Sequence, residues 1–149
     1  MFIIRNAKKS DLEQILEIEK ASYPAPWGQE AFACEFSKQA SGMNIFLAAD
    51  DAETGKLAGY IAGNVITDYV HILNLAVAPE FRKRGLARSF MARTEQEAVK
   101  RGIGAITLEV REKNESALNL YRKMGYEPRG RRPKYYEGVD DAILMWKKL

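Results

Sequence analysis

The run Asn74-Leu75-Ala76-Val77-Ala78-Pro79-Glu80-Phe81-Arg82-Lys83-Arg84-Gly85-Leu86-Ala87-Arg88 is where residue types and spacing say most about chemistry. A strand-like stretch ends, a short basic turn with one glycine follows, and a helical pattern begins at once. Main-chain N–H groups converge in such a turn, and a helix start adds roughly half a positive charge. Together they make a seat for a phosphate or diphosphate. Gly85 and the small Ala87 leave the backbone open to such a group. The same stretch also reads as an ordinary connection whose basic residues face water, and shape alone leaves the two readings level.

Two other side chains could move protons. Along residues 105–110, Ile106, Leu108 and Val110 face one way while Thr107 and Glu109 face the other. Glu109 is then a mid-strand carboxylate, which on the residues alone is most simply solvated. Tyr121 shares an apolar helical stripe with Ala117 and Met124, where a core role is the simpler one. His71, on a strand among apolar neighbours, reads as packed and hydrogen-bonded. Cys34, between Phe32 and Phe36, reads as a buried helix residue. Some chemistries are excluded outright. No Gly-x-x-x-x-Gly-Lys-Ser/Thr run exists, so this is no P-loop nucleotidase. Gly102-Ile103-Gly104 lacks a third glycine and follows a helix, so it is no dinucleotide fingerprint. A single histidine and no Gly-x-Ser-x-Gly leave a hydrolase triad without parts.

The elements that position these residues follow from periodicity. Phe2–Asn6 is a short apolar first strand. Ser10 opens a helix, with Glu13 completing a capping box, and Leu12, Ile15, Leu16 and Glu19 form its apolar stripe and polar margin. Pro24-Ala25-Pro26-Trp27-Gly28 stops it. A second helix spans residues 29–37. Strands at 45–49 and Leu57–Ile66 flank a polar turn and read as a hairpin, and Tyr69–Val77 is a further strand. Residues 85–101 form an amphipathic helix capped by Gly102. Residues 105–110 are a strand, Asn114 caps a helix that runs to Met124 and ends at Gly125, and strands at 126–131 and 142–146 close the chain. The order β-α-α-β-β-β-α-β-α-β-β predicts an α/β sandwich around a mixed sheet.

Bulk composition agrees with one domain over residues 1–149. The chain is 46% hydrophobic and 29% charged, which excludes disordered and low-complexity classes. Its formal charge of +3 is too small for a dedicated nucleic-acid binder. One cysteine forbids an internal disulfide or a paired-cysteine motif, and with one histidine leaves no zinc set. No signal-peptide region and no span of ~18 apolar residues is present, so a cytoplasmic location away from membranes is expected.

Arg82, Gly85 and Ala87 match a spaced signature: Gln or Arg, two free positions, Gly, one free position, then Gly or Ala. In that place, after Leu75-Ala76-Val77-Ala78-Pro79 and before an amphipathic helix, it resembles the acetyl-CoA signature of the GNAT N-acetyltransferases. The whole element order resembles that fold, which implies that the mixed sheet is mostly antiparallel. Leu108-Glu109-Val110-Arg111, Asn114, Leu120-Tyr121, Gly125-Tyr126, Tyr135-Tyr136, Asp141-Ala142-Ile143-Leu144-Met145 and Pro26-Trp27 resemble a narrower group, the ribosomal-protein-alanine N-acetyltransferases and their archaeal relatives.

The resemblance implies an acetyl-CoA-dependent enzyme that needs no metal and acetylates a protein N-terminus, a ribosomal protein being the expected partner, by direct transfer in a ternary complex. It implies that Leu75, Ala76 and Val77, at a bulged strand end, bind the pantetheine arm, and that Arg82, Lys83, Arg84, Gly85, Leu86, Ala87 and Arg88 hold the diphosphate, with Asn114 nearby. It casts Glu109 as general base, directly or through water, and Tyr121 as general acid. It places Trp27, Tyr135 and Tyr136 along the acceptor groove. The basic stretch Arg129-Gly130-Arg131-Arg132-Pro133-Lys134 could meet an acidic peptide or RNA, and reads more simply as a solvated edge. Ala87 stands where many members have glycine, and the short Glu137-Gly138-Val139-Asp140 loop bears on acceptor choice. A lysine or small-amine acetyltransferase and a silent CoA- or ribosome-binding module are the alternatives.

Overall fold

β1 (Phe2–Asn6), β2 (Asn44–Asp51), β3 (Leu57–Ile66), β4 (Tyr69–Val77), β5 (Ala105–Arg111), β6 (Glu127–Tyr136) and β7 (Asp140–Lys148) form one sheet in the computed structural model, which describes residues 1–149. The helices α1 (Leu12–Ser22), α2 (Gln29–Ala40), α3 (Leu86–Lys100) and α4 (Glu115–Lys123) interleave with them in the order read from the sequence. The strands lie β1-β2-β3-β4-β5-β7-β6, and every neighbouring pair is antiparallel except β4 with β5. This is the α/β fold expected.

The β4–β5 pairing decides the shape of the centre. It covers three register positions, Tyr69 with Ala105, Val70 with Ile106 and His71 with Thr107, and then the strands part. On its other edge β4 slips one register against β3, Ala62 facing Asn74 while Gly63 faces Ile72. A bulge bends its strand and breaks the ladder locally. Here it falls at Leu73, just before the Leu75–Val77 segment where the sequence reading put it. The bend opens a wedge in mid-sheet.

The core packs against this sheet. Phe32 and Phe36 of α2, Tyr60 of β3, Phe90 and Met91 of α3, Ile106 of β5 and Met145 of β7 are all buried. Gly59 permits the close approach beneath the wedge. A Cβ there would sit 2.6 Å from the Ala76 carbonyl oxygen and 3.1 Å from the Phe90 ring. Backbone cannot swing aside as a side chain does, so Gly59→Ala is expected to cost about 2–3 kcal/mol. The unfolding midpoint in denaturant reads this; a loss under about 0.5 kcal/mol would place the strands farther apart.

Several local expectations are corrected. α1 begins at Leu12, and Ser10 lies in a 3-10 turn (Lys9–Asp11), so no Ser10–Glu13 capping box forms. Asp11 takes over as the local acceptor, receiving the Lys8 N–H at 2.8 Å and the Arg5 guanidinium at 2.8 and 2.9 Å. Burial works against its charge, yet the Arg5 and Lys8 donors outweigh it and hold the carboxyl below its usual range. Cys34 is exposed. Two positions from each phenylalanine, it is rotated about 200° around the helix from both. α2 runs on to Ala40, and β6 continues through Pro133 to Tyr136. Proline is tolerated there because β6 is the sheet edge. No helix is long and apolar enough to cross a membrane.

Candidate active site

A cleft of about 850 Å³ occupies the wedge between β4 and β5. Leu75, Ala76 and Val77 line it from β4, and Arg82, Lys83, Gly85, Leu86, Ala87 and Arg88 from the turn and first turn of α3. Asn114 and Tyr121 of the α4 segment, Glu109 of β5, and Trp27, Tyr135 and Tyr136 close the remaining sides. Arg84 is the exception among the residues singled out. Its guanidinium lies over the Phe81 ring, 5.6 Å from the centroid, and does not line the cleft.

The turn is built to leave donors open. Lys83 at φ 63° and Gly85 at φ 80° are both left-handed, which turns successive N–H groups to one side. The N–H groups of Lys83, Arg84, Gly85, Leu86, Ala87 and Arg88 find no acceptor in the protein. Those of the first helical turn are orphaned by helix geometry itself. Gly85 would offer its Cβ nothing within 4 Å, so the space above it is free. A row of open donors, a helix N-terminus and basic neighbours suit a diphosphate. Arg82 takes a structural part: its Nε donates to the Val77 carbonyl at 2.9 Å and its Nη2 to Ser22 Oγ at 3.2 Å. It thereby ties the turn to β4 and α1. Asn114 caps α4, its Oδ1 accepting the Ala117 N–H at 3.1 Å, which leaves its amide NH2 free to donate.

Glu109 lies at the other end of the opened strands, its side chain only 8% exposed. Its Oε1 is 3.2 Å from Arg132 Nη2 and 3.8 Å from His71 Nε2, while Oε2 is buried without a partner. His71 is hydrogen-bonded as expected, its Nδ1 lying 2.7 Å from Thr107 Oγ1. Its contact with Glu109 was not foreseen. Burial lowers the proton affinity of the ring, Glu109 opposes this and Arg132 adds to it.

Tyr121 is buried and packs edge-on to Tyr126 at 5.9 Å. Its hydroxyl has no partner in the protein yet is not sealed off. Burial, aided by the nearby Tyr136, pushes it up to about 12, so it stays protonated across the neutral range.

The groove side is held by contacts that the sequence reading missed. Glu19, read there as the polar margin of a helix, is 1% exposed. It accepts from the Tyr60 hydroxyl, from Asn74 Nδ2 at 2.7 Å and from the Trp27 N–H at 2.8 Å. That single carboxylate ties the α1–α2 loop to β3 and β4. Tyr23 lines the cleft and donates its hydroxyl to the Leu75 carbonyl. Trp27 packs on Phe32 at 5.3 Å. Tyr135 and Tyr136 meet edge-on at 5.0 Å, and Arg111 clasps their hairpin through Glu137 at 2.8 Å and Asp140 at 2.7 Å. The basic stretch is largely engaged within the protein: Arg129 over Trp146, Arg131 with Asp141 and Glu112, Arg132 with Glu109.

Comparison with known proteins agrees with this geometry. Residues 12–126 match the acetyltransferase (GNAT) family. The chain is 31% identical over 144 residues to a putative ribosomal protein bS18-alanine N-acetyltransferase of Bacillus subtilis, covering 96% of this chain and 93% of that one. It is 30% identical over 148 residues to the ribosomal protein bS18-alanine N-acetyltransferase of Escherichia coli, covering 97% and 96%. The crystal structure of the ribosomal-protein-S18-alanine N-acetyltransferase from Escherichia coli superposes with a TM-score of 0.89 at 28% identity, over 99% of this chain and 94% of that one. An opened β4–β5 pair, a donor-rich turn and nearly full-length likeness to N-acetyltransferases converge: the chain belongs to the GNAT family of acetyltransferases.

Proposed function

We propose that this enzyme transfers the acetyl group of acetyl-CoA to the N-terminal α-amine of a protein, a ribosomal protein being the expected acceptor, with residues 1–149 acting as one catalytic domain in the cytoplasm. The observation that carries the reading is the row of open N–H groups from Lys83 to Arg88 at the mouth of a cleft that also holds Glu109 and Tyr121. Its similarity to bS18-alanine N-acetyltransferases supports the choice of acceptor.

Acetyl-CoA, when bound, supplies a thioester whose carbonyl carbon accepts the amine and whose sulfur leaves. The N–H groups of the turn hold its diphosphate, and Leu75, Ala76 and Val77 line the path of the arm beside the parted strands. Glu109 takes a proton from the incoming amine. Tyr121, kept neutral by burial, gives a proton to the departing sulfur. Trp27, Tyr135 and Tyr136 line the acceptor side. A carboxylate base suits an α-amine, whose reference pKa of about 7.7–8.0 leaves it deprotonated far more often at neutral pH than lysine near ~10.4.

A panel of peptides, some N-terminally blocked and some lacking lysine, tests the reading with acetyl-CoA and product mapping. Acetylation of free N-termini alone is expected. Product on the ε-amine of blocked peptides overturns the acceptor, and CoA binding without turnover on any amine overturns the catalysis.

Tyr121→Phe removes the acid without breaking any hydrogen bond inside the protein, since the hydroxyl makes none. Turnover is expected to fall about 100-fold with acetyl-CoA affinity changed by less than about threefold. An equal loss in both would make Tyr121 a packing residue.

A further inference from the structure

His71 sits at the last register position before β4 and β5 part, directly opposite Thr107. Thr107 Oγ1 lies 2.7 Å from its Nδ1, which fixes the ring and leaves Nε2 facing Glu109 Oε1 at 3.8 Å. Thr107 and Glu109 are two residues apart on β5 and so share a face. Of the two carboxylate oxygens, Oε2 is sealed in without a partner, so Oε1 is the one an amine can reach. His71 and Arg132 both approach that same oxygen.

We infer that His71 is a positioning residue for Glu109: with Arg132 on one side of Oε1, a neutral ring leaves the other side open to the amine, and a cationic ring pairs with Oε1 there and withdraws it. This rests on the reading of Glu109 as the base. A cation beside a carboxylate stabilises the charged form and lowers its affinity for a proton. The charged groups that face the ring are Glu109 from β5 and Arg132 from β6, while Asn64, opposite it on β3, carries no charge. The half-buried setting keeps the ring neutral near neutral pH, so its cationic form belongs to the acid side.

The chain has one histidine, so a single imidazole resonance reports this ring. An NMR titration of the chain, of Glu109→Gln and of Arg132→Gln is the direct test. The midpoint is expected below about 6.5 in the unaltered chain, lower by ~0.5 unit or more in Glu109→Gln, and higher in Arg132→Gln. In parallel, the acid limb of kcat is expected to move to lower pH in His71→Gln, which keeps a polar partner for Thr107 but does not titrate. Two acceptors of different amine pKa separate the limb of the ring from that of the amine. A histidine midpoint indifferent to Glu109→Gln overturns the inference, as does an unmoved acid limb in His71→Gln. If His71→Gln fails to fold, the NMR series decides, because it leaves the histidine in place. A Glu109→Gln chain that turns over at full rate removes the base reading itself, whereas an inactive one with an unshifted histidine removes only the role of His71.

Discussion

Glu109→Gln is expected to lower kcat by about 100- to 10,000-fold while the dissociation constant for acetyl-CoA stays within about threefold. The amide matches the carboxylate in volume, so packing between β5 and its neighbours is preserved. It cannot accept and hold a proton, and it no longer attracts Arg132, which lies 3.2 Å from Oε1. The donor-rich turn from Lys83 to Arg88 belongs to a different loop and keeps its open N–H groups. Stopped-time assays at saturating acetyl-CoA, together with calorimetric titration of the cofactor, separate the two quantities. Retention of more than about a tenth of kcat would require another base, and a parallel loss of cofactor affinity would make Glu109 structural.

The second large effect is at Gly85. Its φ of 80° is a conformation that a branched side chain adopts at a cost of roughly 1–2 kcal/mol. Inside the protein a Cβ there meets nothing within 4 Å, so Gly85→Val is expected to fold. Gly85 lines the cleft, so the added methyl groups are expected to take up space beside the open N–H row. Acetyl-CoA affinity is expected to fall at least ~100-fold, near 2.7 kcal/mol. The rise in thermal midpoint that the cofactor gives the unaltered chain should then vanish at the same concentration. An undiminished rise in the variant would mean that the diphosphate sits elsewhere, and the proposed function would lose its main support.

These two residues differ in how they could be found. Gly85 and its turn were legible because the geometry is local. A strand, a glycine and a helix start within fifteen residues determine where N–H groups point, whatever the rest of the chain does. The strands Phe2–Asn6, Leu57–Ile66 and Tyr69–Val77 were legible for the same reason, since short apolar runs bounded by polar turns are written in consecutive side chains. The Ser10 capping box did not form because the neighbouring Asp11 became the acceptor, held by an arginine that a distant strand also engages. Arg5 pins Asp11 and reaches Asp50, 45 residues on, and the helix start moved with it.

Glu109 could be placed on a strand face by alternation, but its neighbours could not. His71 meets Thr107 across 36 residues, and Glu19 meets Tyr60 across 41 and Asn74 across 55. No period or spacing encodes such pairs. The amino-acid sequence by itself settled the elements, their order and the donor-rich turn, because each depends on torsions and side-chain periodicity over a few residues. Tertiary structure alone decided that β4 and β5 part after three register positions, that Glu19 clamps the α1–α2 loop, and that His71 and Arg132 converge on one carboxylate oxygen. Those are outcomes of which strands become neighbours, and sheet pairing is set by burying a shared core, which the whole chain must negotiate at once.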